Sequence, residues 1–142
     1  MRALVWLRST RKDLRQLPAD VQEVFAYALQ LALEGGKHPD AKPLTGFRGA
    51  GVLEVVEDYE TNTFRAVYTV RFRSAVYVLH VFQKKSRHGR ETARQDIDLI
   101  KQRLREAEQL DEDEQAKLKQ TPGASRAKVS INSTKRNRGK RQ

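Results

Sequence analysis

The sequence predicts an α+β fold: an N-terminal strand and two helices, then a three-strand antiparallel meander, a C-terminal helix and a disordered basic tail. Three observations predict it. The runs Val52–Tyr59, Thr63–Phe72 and Ala75–Phe82 are rich in Val, Tyr and Phe, and only Glu60-Thr61-Asn62 and Arg73-Ser74 separate them, which suits antiparallel hairpins. Ahead of them, Val21, Val24, Phe25, Ala28, Leu29, Leu31 and Ala32 recur at helical spacing. After them, Ile97, Leu99, Ile100, Leu104 and Ala107 repeat the helical pattern.

Each element follows in order. Residues 2–8 alternate weakly and read as the first strand, with Trp6 as core. Ser9 or Thr10 caps a short helix through Leu17, which Pro18 stops. Asp20, with Glu23 three residues on, reads as the capping box of a longer helix. Gly35-Gly36 ends that helix, because glycine accepts the left-handed conformation of a helix stop. Residues 37–51, punctuated by Pro39, Pro43, Gly46, Gly49 and Gly51, read as a loop. Thr92 caps the last helix, and Asp111–Glu114 start a short further turn, acidic first and lysine-rich last. From Thr121 the chain lacks a core pattern and reads as disordered. The expected organisation is a domain over 1–110, a helical extension over 111–120 and a tail over 121–142.

Composition excludes several classes of protein. The chain has no cysteine, which rules out a disulfide scaffold and Cys-based zinc sites. Three scattered histidines give no metal-ligand spacing. The apolar runs fall far short of a membrane span, and "MRALVWLR" lacks the apolar centre of a signal peptide. A cytoplasmic protein with no membrane partner is expected. The net charge is +10 and unevenly spread: all 18 acids lie at or before Glu114. Seven basic residues beyond Thr121 give the tail +7, and 21 basic residues against 18 acids leave +3 for the body. The basic excess favours a polyanionic partner, with plain solubility as the alternative.

Side-chain alternation distributes the strands over two faces. A two-residue turn at Arg73-Ser74 would pair Phe72 with Ala75, Val70 with Tyr77, Tyr68 with Leu79 and Ala66 with Val81, giving an apolar face for the helices. The other face carries Arg65, Val67, Thr69 and Arg71 across from Phe82, His80, Val78 and Val76, and Glu54 has the parity to join it. Lys84 and Lys85 then close the last strand at the rim, and Arg87, His88 and Arg90 extend the positive charge with no acid between. This arrangement predicts a concave phosphate-binding floor.

The segments "KPLTGFRGAGVLEVVED", "TFRAVYTVRF", "AVYVLHVFQKKS" and "DIDLIKQRL" together resemble the RelE/ParE superfamily, and more closely the phage-derived, HigB-like branch of type II toxins. The resemblance covers roughly residues 1–110 and leaves the tail outside. It implies a RelE-like fold and a toxin that cleaves mRNA, at the ribosome, under the control of a helix-turn-helix antitoxin. The implied reaction needs no metal or other cofactor: the ribose 2′-hydroxyl attacks the adjacent phosphate, leaving a 2′,3′-cyclic phosphate and a 5′-hydroxyl. That step requires a proton acceptor, a cationic clamp and a proton donor.

By the same resemblance Arg65 corresponds to the arginine that holds the scissile phosphate, and Lys84 and Lys85 to the basic pair closing the last strand. The chain departs from the prototype in two places. Two prototype lysines fall near Glu54 and Val56, and a C-terminal tyrosine has no counterpart. Glu54 with His80 is the inferred replacement for the proton-transfer groups. Arg71, Arg87, His88 and Arg90 are expected to position the RNA backbone. Each residue also has a plainer role: a salt bridge between Arg65 and Glu54, a hydrogen-bonded structural His80, and lysines that blunt a strand end. Two rival functions on this scaffold are a ParE-like gyrase inhibitor and a non-catalytic RNA- or antitoxin-binding remnant.

Overall fold

The computed structural model describes residues 2–47, 49–84 and 92–120. Its elements run β1 (Ala3–Trp6), α1 (Thr10–Arg15), α2 (Ala19–Leu33), β2 (Lys42–Pro43), β3 (Val52–Tyr59), β4 (Asn62–Thr69), β5 (Ala75–Gln83) and α3 (Arg94–Gln120). The strands form one sheet in the order β1-β5-β4-β3-β2. The α+β class and the antiparallel β3-β4-β5 meander are as the sequence predicts. Two pairings are additional. β1 lies parallel to β5, with Ala3 opposite Ala75 and Trp6 opposite Val78. β2 pairs with β3 inside the stretch expected to be loop, placing Lys42 opposite Glu54.

The helix ends show which local signals the chain uses. Ser9 stands at the N-cap of α1, but its hydroxyl donates to the Asp13 carboxylate at 2.8 Å and caps no backbone N–H. The capping box expected from Asp20 and Glu23 is not made. Pro18 occupies the N-cap of α2 with extended backbone, so the helix starts at Ala19 and Asp20 lies inside its first turn. A carboxylate there still favours the helix through its dipole. The C-terminus follows the expected glycine stop. Gly35 takes φ +88°, its N–H reaches the Ala32 carbonyl at 3.1 Å, and Gly36 N–H reaches Leu31 at 2.8 Å.

The largest correction concerns register. Ala66 faces Val81 and Arg65 faces Phe82, as expected, but a β-bulge between Val67 and Tyr68 shifts the rest, so Tyr68 faces Val78 and Thr69 faces Tyr77. The extra residue, Leu79, breaks the alternation that a bulge-free hairpin would keep. Its carbonyl accepts from Arg103 Nη1 at 2.9 Å. Val76 and Val78 therefore join Ala66, Tyr68, Val55 and the α2 residues Val21, Phe25, Ala28 and Leu29 in one core. Ala75, Tyr77 and Leu79 turn to the other side with Val52, Val67, Ile100 and Ala107.

Both faces of the sheet are thus covered, and the expected open floor is corrected. The α3 face is closed by Ile97, Ile100, Leu104 and Ala107. This helix runs unbroken through Gln120, so no separate turn starts at Asp111. No Gly or Pro interrupts residues 94–120 to stop it. By backbone contacts the chain divides into Met1–Glu108 and Gln109–Gln142, a boundary that falls within α3. Among the described residues no helix is long and apolar enough to cross a membrane. The expectation of a disordered tail over 121–142 lies outside the described residues.

Candidate functional site

The polar residues of the α3 face meet because the strands bring them into adjoining rows. Glu54 faces Val67, which faces His80. One row along, Val56 faces Arg65, which faces Phe82. Residues directly opposite in a sheet share a face, so Glu54, Arg65, His80 and Phe82 lie on one surface.

Arg65 is the centre of this group. Its Nη1 donates to Glu54 Oε2 at 2.7 Å and to Thr92 Oγ1 at 3.1 Å. The two side chains of this ion pair are only 4% and 9% exposed. Burial makes such a pair costly to form and costlier to break, because removing one partner leaves an uncompensated charge. Arg65 thus has the salt bridge that the plainer expectation named, and it does not lie on an open surface.

His80 stands beside this pair and stacks on Phe82, with ring centroids 4.1 Å apart and planes at 14°. Its Nε2 lies 2.8 Å from Asp96 Oδ1. Its Nδ1 is buried and has no hydrogen-bond partner among the described residues. Desolvation pushes the imidazole below its ordinary range, and Arg103 adds to this; the hydrogen bond and charge of Asp96, with a smaller contribution from Asp13, oppose it. At neutral pH the ring is therefore held uncharged.

The remaining candidates divide by position. Lys84 directly follows β5; its N–H donates to the Thr63 carbonyl at 2.8 Å, and it has the strand parity of Phe82 and His80. Arg71 is not brought to the cluster. It lies six residues beyond Arg65, about 20 Å of extended chain, pairs with Glu108 at 2.6 Å and sits over Phe72. Lys85, Arg87, His88 and Arg90 lie outside the described residues. A shallow cleft lined by Arg2, Leu33, Glu34, Gly35 and Arg73 shares no residue with the cluster.

Three members escaped sequence reasoning. Thr92 read as a helix cap, yet α3 begins at Arg94 and the Thr92 hydroxyl accepts from Arg65. Asp96 looks in the sequence like any acid in a first helical turn. Lys42 enters through its register opposite Glu54, on a strand too short to leave a pattern. The signal that pointed toward Asp96 was a histidine inside an apolar strand, since a buried imidazole needs a polar partner.

The sheet and its covering helices make a small mixed α+β fold. The family model described as "Phage derived protein Gp49-like (DUF891)" matches residues 12–105. The chain belongs to this Gp49-like family, which is toxin-like and is consistent at a coarse level with the toxin of a toxin–antitoxin pair. Among the curated proteins and the solved structures compared, none matches the chain.

Proposed function

We propose that this protein is the toxin of a type II toxin–antitoxin pair and that it cuts mRNA, at the ribosome, by 2′-hydroxyl attack on the adjacent phosphate. The observation that carries the proposal is the meeting of a carboxylate, a guanidinium and an uncharged imidazole on one sheet face. These are the group types that an attack by a ribose hydroxyl requires: an uncharged proton acceptor and a cation for the charge that builds on phosphate. His80 accepts the hydroxyl proton. Arg65 neutralises the phosphate oxygens, exchanging its bond to Glu54 for one to RNA. Lys84 and Lys85 are assigned the leaving oxygen, and Arg87, His88 and Arg90 the RNA backbone. The family supports an antitoxin partner, and the HigB-like resemblance supports a helix-turn-helix one.

A second reading, favoured by the burial of Arg65, is a toxin that acts by binding alone, as a ParE-like gyrase inhibitor does. With its guanidinium already engaged, the cluster then serves only to fasten α3 to the sheet. Pulse expression followed by mapping of RNA 5′ ends separates the two. The nuclease gives new 5′-hydroxyl ends within minutes, lost in a His80→Gln variant. A binding toxin gives DNA damage or growth arrest with transcripts intact.

A further inference from the structure

The proposed reaction assigns His80 a proton but not the atom that takes it or the residue that prepares it. From the contacts of the ring we infer that Asp96 is a positioning residue, holding His80 as the tautomer protonated on Nε2 with its lone pair on Nδ1.

The argument starts from donor and acceptor inventory. An ionised carboxylate only accepts hydrogen bonds, so a ring nitrogen 2.8 Å from Asp96 Oδ1 carries the hydrogen. An uncharged imidazole has one N–H, so Nδ1 is left with its lone pair. That lone pair has no partner among the described residues although the residue is only 9% exposed. A buried polar atom without a partner is uncommon and costs stability, which calls for an account of its own. The tautomer that Asp96 selects supplies one, since it leaves a lone pair rather than an N–H at the unpartnered position.

The surroundings fix the ring rather than its charge. Phe82 stacks on one side and holds the plane. His80 holds its place on the α3 face through its pairing with Val67, directly after the irregular step at Leu79, and Arg103 ties the Leu79 carbonyl. Asp96 comes from the first turn of α3, one turn beyond Thr92, which holds Arg65. One short segment thus addresses both the guanidinium and the imidazole. The charged groups facing the ring are Asp96 and Arg103 from α3 and Asp13 from α1. Asp96 is the one in hydrogen-bond contact, so its removal moves the titration most.

This assignment rests on the nuclease reading for its catalytic meaning but not for its test. Long-range proton–nitrogen NMR of the full chain reads the tautomer without any RNA, with His38→Gln and His88→Gln variants to assign the signals. The expected spectrum at pH 7.5 shows a pyrrole-type Nε2 and a pyridine-type Nδ1 for His80. An Asp96→Asn variant, whose amide can also donate, lowers the Nε2–H population, and Asp96→Glu restores it. A pyridine-type Nε2 in the wild-type chain overturns the inference whatever the activity.

Cleavage kinetics complete the test. Asp96→Asn should lower the cleavage rate by about 10–100-fold and move the acid limb of its pH profile downward, with partial rescue in Asp96→Glu. If the wild-type chain cuts RNA and Asp96→Asn leaves both rate and profile unchanged, the positioning role is wrong. If the wild-type chain does not cut, the nuclease reading fails, and the spectrum alone decides the tautomer.

Discussion

The two faces of the sheet solve burial differently. Under α2 the interface is apolar throughout, with Val21, Phe25, Ala28 and Leu29 set against Val55, Ala66, Val76 and Val78. Under α3 an apolar strip of Ile97, Ile100, Leu104 and Ala107 lies beside Glu54, Arg65 and His80, all buried. The first face is what hydrophobic stabilisation alone would build. The second accepts the desolvation of an ion pair that well-packed apolar residues could replace at no loss of stability. Stability therefore does not explain the second face, which is why the functional proposal rests there.

The largest expected effect is on that ion pair. Arg65→Ala should cost about 3–5 kcal/mol, because Glu54 would be left charged and buried. Denaturant titration checks it. The α2 face should respond instead to alkali. Tyr68 keeps its hydroxyl buried without a partner among the described residues, and desolvation pushes it up to about 12. Below pH ~10 both folded and unfolded tyrosine hold the proton. Between there and about 12 only the unfolded chain releases it, so stability falls. Tyr68→Phe should abolish this alkaline loss and add about 1–3 kcal/mol at neutral pH, measured as a shift in the urea midpoint.

The α3 face should weaken at the opposite end of the scale. His80 is held below its ordinary value. Above pH ~6.5 neither state protonates it. As pH falls further the unfolded chain binds the proton first, and stability declines until the folded value is passed. A melting-temperature series from pH 8 to 5 should show this decline in the wild type and a shallower one in His80→Gln. The smallest effect is expected at Arg71, whose exposed pair with Glu108 should contribute less than about 1 kcal/mol. A large loss in Arg71→Ala would show that the α3 face depends on its rim rather than its strip.

The comparison also explains what was legible in the sequence. Strand alternation gave β3 and β4 their faces, because neither strand departs from period two. It placed Glu54, Arg65, His80 and Phe82 together correctly, since from Ala66–Val81 to Arg65–Phe82 the observed register coincides with the expected one, while nearer the turn the bulge shifts it by one residue. It misplaced Val76, Val78, Tyr77 and Leu79, because a bulge without glycine leaves no local mark. The parallel pairing of β1 with β5 depends on contacts more than 70 residues apart, which no local pattern carries. The covering of the α3 face was missed for the same reason: helical periodicity shows that a helix has an apolar side, not which surface that side meets.

The central claim is that Glu54 and Arg65 are kept for chemistry and not for stability. Replacing both, Glu54→Leu with Arg65→Met, removes the charges without orphaning either one. We predict that this double variant folds with a melting temperature close to that of the wild type, while 5′-hydroxyl RNA ends disappear from cells expressing it. Undiminished cleavage by the folded double variant would contradict the account.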